Sequence, residues 1–376
     1  MSNQQTYAPG THPDLPPPAD TIGAMAWVKG NLLSSKLNIF ITVFTIYLLY
    51  LIVPGLIDWA FLNSVYNAES RNECRAIMDA SEGGRGACWA FIGHRFNFFI
   101  YGFYPESERW RAITALIVMF AALVPILYDS MKNRKLGLYF SLASPVIIYW
   151  LLVGGMGLEP VGTEKFGGIM LTLVIGVTGI VCSLPLGIGL ALGRQSHLPA
   201  MRIVCVVFIE FIRGVPLITL LFVASTMLNY FLPPGTTFDL LLRVLIMVTL
   251  FSAAYIAEVV RGGLQAIPNG QIEAADAMGL KYWQSMRLIV LPQALKISIP
   301  GIVNTFIGLY KDSTLVIIIG LFDVLGAGRA SLADTKWQGL STEVYVFVAL
   351  FFFVSCIAMA RYSLYLENKL HTGHKR

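Results

Sequence analysis

Charged side chains are scarce. Asp, Glu, Lys and Arg together make up 13% of the 376 residues, against 56% hydrophobic residues, whereas an ordinary soluble domain is about a quarter charged. Too little polar surface is available to cover a water-facing fold, which excludes a conventional soluble protein. Alternating apolar and polar decads are also missing, and with them the signature of a membrane β-barrel. No C-x-x-C pair and no Cys/His cluster at metal-ligand spacing occurs, so neither a zinc site nor a redox motif has support. The five histidines, His12, His94, His197, His371 and His374, all fall outside the long apolar runs. A membrane enzyme built on a buried His or metal constellation therefore lacks its residues. The net charge of +5 comes without a basic patch interleaved with aromatics, which argues against nucleic acid. No G-x-x-x-x-G-K-[ST] phosphate loop is present, so ATP has no binding motif in this chain.

What is present is a series of long apolar runs. Hydrocarbon offers backbone N–H and C=O groups no partners, so runs without charge must span as helices. By the length of about 20 residues needed to cross, eight candidates lie near 37–57, 110–128, 137–157, 168–193, 203–231, 240–258, 297–322 and 343–362. The fold class is thus all-α, a polytopic membrane helical bundle. Residues 1–36, with Pro9, Pro13, Pro16, Pro17 and Pro18, read as a flexible tail. Residues 37–165 hold three spans and a large 58–109 loop, 166–365 the other five, and 366–376 a second tail.

Lys and Arg collect after spans two, four, six and eight: Lys132, Arg134 and Lys135; Arg194 and Arg202; Arg261, Lys281 and Arg287; Arg361, Lys369, Lys375 and Arg376. Short cytosolic loops retain such residues, which puts both termini in the cytosol and the 58–109 loop outside. Cys74 and Cys88 in that loop would meet an oxidising exterior; a bridge between them and two free thiols both remain open. Cys182, Cys205 and Cys356 lie inside apolar runs and read as small hydrophobes.

Between spans six and seven the sequence is unusually organised. Pro268-Asn269-Gly270 signals a turn, Glu273 to Met278 is rich in helix formers, and Gly279 is able to end a helix in the left-handed conformation. A second short helix is predicted from Tyr282 to Leu291, stopped by Pro292. Such a bent pair suits docking to another protein: small residues allow close approach, Glu273 offers a charge-assisted bond, and Trp283 with Met286 offer apolar contact. An amphipathic loop resting on its own bundle is the plainer alternative.

The spacing here is Glu273-Ala274-Ala275, three residues, Gly279, nine residues, then Ile289-x-Leu291-Pro292. It resembles the EAA signature of permease subunits of ATP-binding-cassette importers. Phe211-Ile212-Arg213-Gly214-Val215-Pro216-Leu217, Tyr255-Ile256-Ala257-Glu258 and Lys311-Asp312-Ser313-Thr314-Leu315 resemble the polar-amino-acid subfamily within it. The resemblance covers about 166–365 and implies a type I importer core, with the EAA loop at about 258–295. The longer form, with three extra spans, is similar to a permease subunit of general L-amino-acid importers of Gram-negative bacteria. The resemblance further implies an inner-membrane location and docking of Glu273, Ala274, Ala275, Gly279, Ile289, Leu291 and Pro292 to a cytosolic ATPase dimer that binds the ATP. A second, homologous permease subunit and a periplasmic amino-acid-binding protein are the other implied partners. The chain itself is then not an enzyme and carries no cofactor.

Polar residues inside the spans are the remaining candidates. A charge at mid-membrane costs at least about 2.5 kcal/mol, so Lys311 and Asp312 need an explanation. With Asn304, Ser313 and Thr314 they match the ammonium and carboxylate of an amino acid, or they form a structural ion pair with a neighbouring helix or subunit. Glu210 and Arg213, three apart, are positioned to pair on one helical face, and Arg213 joins Asn304, Lys311, Asp312, Ser313 and Thr314 as a candidate of the substrate pathway. Gly214 and Pro216 just beyond them predict a kink or break. An ion-coupled secondary transporter, with Lys311, Asp312 and Glu210 as relays, is the competing reading of these charges, but it gives the organised cytosolic loop no purpose.

Overall fold

The computed structural model describes residues 23–81, 84–128, 131, 133–227, 230, 233 and 238–370. Residues 1–22 and 371–376 of the two tails, Lys132 and the 228–229 and 231 end of the fifth span lie outside them.

The elements follow the apolar runs closely. Two compact units are distinguished, one comprising 1–65 and 74–87, the other 66–73 and 88–376. The first unit opens with α1 (Ala24–Asn31), a short helix inside the stretch expected to be a tail. Then comes α2 (Lys36–Ile57), prolonged by a π turn over Asp58–Leu62. The Ser35 side chain caps α2 by accepting from the Asn38 N–H at 3.1 Å. None of the apolar stretch of α2 is buried within the chain, which costs nothing where the surroundings are hydrocarbon. α3 (Arg71–Ala80) belongs to this unit only from Cys74 onward, its first three residues falling in the second.

The second unit holds α4 (Ala90–Tyr101), α5 (Arg109–Leu127), α6 (Arg134–Val153), α7 (Gly168–Arg194), α8 (Pro199–Gly214) and α9 (Leu217–Phe222), which ends in a π turn over Val223–Met227. It continues with α10 (Leu240–Gln265), α11 (Asn269–Ala277), α12 (Tyr282–Ser285), α13 (Leu291–Asp312), α14 (Val324–Ser331) and α15 (Ser341–Leu370). Among the described residues, seven helical stretches are long and apolar enough to cross, or eight if the bent pair α8–α9 counts as one span. That pair turns through 102° at Val215–Pro216. Pro216 lacks an N–H and pushes Val215 into an extended conformation, so the break expected at Gly214-Val215-Pro216 is realised in full.

One expectation fails at Pro292. The chain does not stop there: α12 passes through a π turn over Met286–Val290 straight into α13, giving one helical stretch over Tyr282–Ile319. Pro292 occupies the first turn of α13, where its missing N–H has no helical partner to lose. The far end of that stretch narrows to a 3-10 helix over Ser313–Ile319, which ends at Gly320 with φ of 88°.

The core centres on α7, which packs chiefly against α10 and also touches α13. Thr172, Gly176, Gly179, Ser183, Gly187 and Ala191 are all buried and recur every three or four residues on one face. A methyl group at Gly187 would come within 2.6 Å of Ile256 and 2.9 Å of the Ala253 carbonyl oxygen; at Gly176 it would meet the Tyr310 ring at 2.8 Å. This small face carries the close packing of α7, whereas the space around Gly189 is open.

The 58–109 loop is less loop-like than its sequence implied. At 12 residues α4 is too short to cross. It packs against α7, α14 and α15, burying Phe91 and Phe99 completely. Arg95 pairs with Asp334, and Gly102 bridges Phe166 in antiparallel fashion while Gly167 and Gly168 bridge Phe322 and Asp323 in parallel. Arg111, fully buried, donates to the Leu151 carbonyl at 2.7 Å, the Glu159 carbonyl at 2.9 Å and Glu108 at 3.1 Å, tying together the open end of the α5–α6 hairpin.

Asp323 lies outside the spans. One carboxylate oxygen caps α14 by accepting from the Gly326 N–H at 2.9 Å, and the other is buried without a partner. Burial pushes its pKa up to about 6, against the opposing pull of the Gly326 and Leu325 amides.

Two outcomes follow from this packing. Gly187→Leu should overfill the α7–α10 contact and lower the detergent-solubilised melting temperature by several degrees, the consequence of roughly 1–3 kcal/mol of overpacking; an unchanged melt would contradict the contact. For Asp323 the folded pKa exceeds the unfolded one, so its contribution is complete below about pH 4 and is lost as pH rises through about 6. Melting temperature should therefore fall between pH 5 and 7.5, and Asp323→Asn should flatten that part of the profile.

Candidate functional site

The organised segment between α10 and α13 forms a bent helical pair. α11 starts directly after Pro268 and ends at Gly279, whose φ of 71° lets two amides turn back: Gly279 N–H donates to the Asp276 carbonyl at 2.9 Å and Leu280 N–H to the Ala275 carbonyl at 3.1 Å. α12 begins with Lys281 N–H donating to the Gln284 side chain at 2.9 Å. Gln293 then donates to Gln271 at 3.2 Å and to the Ile289 carbonyl at 3.0 Å, fastening α11 to the root of α13.

That root is set into the bundle. Ile267, Val290 and Ala294 are buried together with Ala191 of α7, Ile209 of α8 and Ile256, Ala257 and Val260 of α10. A force applied to the pair therefore reaches three helices through packed side chains as well as α13 through continuous backbone.

Of the residues expected to dock, Glu273, Ala274, Gly279 and Pro292 are exposed, Ile289 and Leu291 are half-buried, and Ala275 is 1% exposed. Ala275 thus packs inward. Trp283, 68% exposed, stands outward as expected, its ring 5.3 Å from that of Tyr282. Met286 turns into the core cluster instead. Its place on the outer surface is taken by Met278, at 81% exposure, and Leu288, at 65%. Those two were missed because short helices carry too few turns to reveal which face is outward.

The residues expected in a substrate pathway fall into two groups. Lys311 and Asp312 end α13 where it becomes 3-10, Lys311 exposed and Asp312 half-buried. Neither forms an ion pair among the described residues. Ser313 is buried and donates to the Tyr310 carbonyl at 2.7 Å, and Thr314 donates to the Lys311 carbonyl at 2.9 Å. These two hydroxyls cap the α13 end and reinforce the change of helix type. Asn304 is exposed two turns earlier on the same helix. The 3-10 segment packs against α9, so the two interrupted spans meet each other.

Arg213 belongs elsewhere. It lies 3.8 Å from Glu258 of α10, with its guanidinium 5.6 Å from the centre of the Tyr255 ring. Glu210 pairs with Arg194 at 2.9 Å rather than with Arg213. Sequence spacing alone favoured the local pair because the partners on α7 and α10 are distant in the chain. Cys74 and Cys88 are buried and both are disulfide-bonded, whereas Cys182, Cys205 and Cys356 are free.

Comparison with known proteins agrees with this arrangement. Residues 183–372 match the family model described as "Binding-protein-dependent transport system inner membrane component". The inner membrane amino-acid ABC transporter permease protein YhdY of Escherichia coli (strain K12) is 47% identical, across 96% of this chain and 97% of its own length. The glutamate/glutamine/aspartate/asparagine transport system permease protein BztC of Rhodobacter capsulatus is 46% identical, across 96% of each. A shorter relative, the probable amino-acid ABC transporter permease protein YckA of Bacillus subtilis, is 33% identical across 87% of its own length but only 54% of this chain. The all-helical bundle, the exposed helical pair with its EAA spacing and the two full-length relatives converge, and the chain belongs to the family of inner-membrane components of binding-protein-dependent transport systems.

Proposed function

We propose that this chain is the permease subunit of an ATP-driven importer of L-amino acids in a bacterial inner membrane, moved by a cytosolic ATPase dimer that grips the α11–α12 pair. The observation that carries the mechanical half is the unbroken helix from Tyr282 to Ile319: a docked pair continuous with a span delivers displacement to the far end of that span, where Lys311 and Asp312 stand. Amino-acid cargo is supported by the full-length relatives, whose names state it.

In this reading ATP is held wholly by the ATPase partner, a periplasmic binding protein delivers the amino acid, and a second, homologous permease completes the pathway. Residues 166–365 serve as the core, which the short relatives correspond to in extent. Residues 37–165 are an addition to it, of which α4 packs against the core. Both termini and the helical pair lie in the cytosol, since the basic residues collect at that end. The loop bearing Cys74 and Cys88 faces the periplasm, where a disulfide persists.

Substrate passes where α9 and the 3-10 end of α13 meet, both segments departing from regular helix and so leaving polar backbone that requires a lined, hydrated path. Lys311 and Asp312 offer one charge of each sign there, the match for a zwitterion. A secondary transporter would use the same charges as ion relays but has no role for an exposed docking pair.

Two experiments test this. In proteoliposomes holding the assembled complex without ion gradients, uptake should require ATP, and Glu273→Lys should cut uptake at least ten-fold or release the ATPase; gradient-driven uptake by this chain alone would contradict the proposal. In the same assay Lys311→Met and Asp312→Asn should each raise the half-saturating substrate concentration several-fold. Unchanged affinity in an assembled complex would remove both residues from the pathway.

A further inference from the structure

The most highly connected carboxylate of the described core is Glu258, and neither the docking pair nor the pathway residues account for it. Three guanidiniums from three helices converge on it. Arg194, the last residue of α7, reaches it at 3.2 Å; Arg213, in the last turn of α8, at 3.8 Å; and Arg261, one turn further along α10, donates through Nε at 3.0 Å. Arg194 also holds Glu210 of α8 at 2.9 Å. Three arginines thus face two glutamates, and the Nε of Arg213 is buried without a partner.

Simple reinforcement is a poor account of this cluster. Each of the five side chains keeps between 22% and 54% of its surface exposed, and partly hydrated ion pairs contribute only about 0.2–1 kcal/mol apiece. Such contacts are easily exchanged, which suits an element that must be made and broken in every cycle. Their placement points the same way. Arg213 stands two residues before the 102° break that aims α9 at the 3-10 end of α13. Glu258 stands on the stretch of α10 that runs on through Gln265 into Ile267 and the docking pair. The α7 end contributes Arg194, beside the tightly packed α7–α10 contact.

We infer that Glu258 is the positioning residue that couples the docking pair to the α8–α9 break. When the pair is displaced, the end of α10 carries Glu258 away from Arg213, and the break, no longer held to α10, is free to re-aim α9. The inference rests on the proposed ATP-driven cycle and adds to it the route by which displacement reaches the second interrupted span. The continuous helix α12–α13 serves the first.

The test uses the complete complex with its ATPase and binding protein in proteoliposomes, reading amino acid imported per ATP hydrolysed. Glu258→Gln, which keeps shape and removes charge, should assemble and hydrolyse ATP while the import ratio falls at least five-fold. Arg213→Lys, which keeps charge and loses the planar fork, should fall less, and Glu210→Gln, whose ion pair among the described residues is with Arg194 and not with Glu258's partner Arg213, should stay within two-fold of the unaltered complex. A wild-type ratio in Glu258→Gln would overturn the inference. Should Glu258→Gln fail to assemble, amide hydrogen exchange in the unaltered complex decides. Protection over residues 205–222 should differ by at least ten-fold between nucleotide-free and ATP-trapped forms, and equal protection would overturn the inference. If the unaltered complex imports without ATP, it is the proposed function that falls instead.

Discussion

Within hydrocarbon an apolar side chain gains nothing by leaving lipid for a neighbouring helix, so helices associate through close van der Waals contact and through polar groups that find partners. The contact between α7 and α10 is where this chain meets that requirement. Gly179 and Gly187 bring the two backbones together against Val248, Ala253 and Ile256, and on the same face Gly176 and Gly179 admit Tyr310 and Leu309 of α13. Everything functional hangs on this pair: α10 carries Glu258 and leads into α11, while Leu309 and Tyr310 fix the end of α13 just before Lys311.

The same logic explains where regular helix is abandoned. Backbone polar groups released by a π turn, a 3-10 segment or a proline break are costly in lipid and tolerable only where other groups or water meet them. Besides the π turns over Asp58–Leu62 and Met286–Val290, the interruptions among the described residues fall in α8–α9 and at the end of α13, and these last two segments touch. α7 and α10, whose neighbours demand rigid close packing, run 27 and 26 residues as uninterrupted α-helix. Close packing thus holds α7 against α10, while the interrupted pair α8–α9 is where the chain changes direction.

Much of this was legible in the sequence. Apolar length placed the spans, because the bilayer imposes a length that composition reports directly. The break at Val215–Pro216 was foreseeable, since proline acts on its own neighbours. Gly279 ended α11 for the same local reason. What the sequence concealed was non-local. Ala275 and Met286 face inward because of side chains far away in the chain, and Glu258 draws its partners from α7 and α8. α4 disappeared into a loop because 12 residues carry no spanning signal, although Phe91 and Phe99 anchor it firmly. Pro292 misled for a different reason: the rule that proline stops a helix applies to interior positions, and a π turn had already moved it to a helix's first turn.

The picture that emerges is of a handle, α11–α12, joined by continuous helix to one interrupted span and by an ion-pair cluster to the other. Its central claim is that the outer face of the handle, bearing Met278, Trp283 and Leu288, is covered by the ATPase rather than by lipid or by this chain. Photo-crosslinking from position 283 in intact membranes measures this directly. An adduct with the cytosolic ATPase subunit is the predicted result. Labelling of a cysteine at that position by a membrane-impermeant reagent added outside the cell, with no ATPase adduct formed, would contradict it.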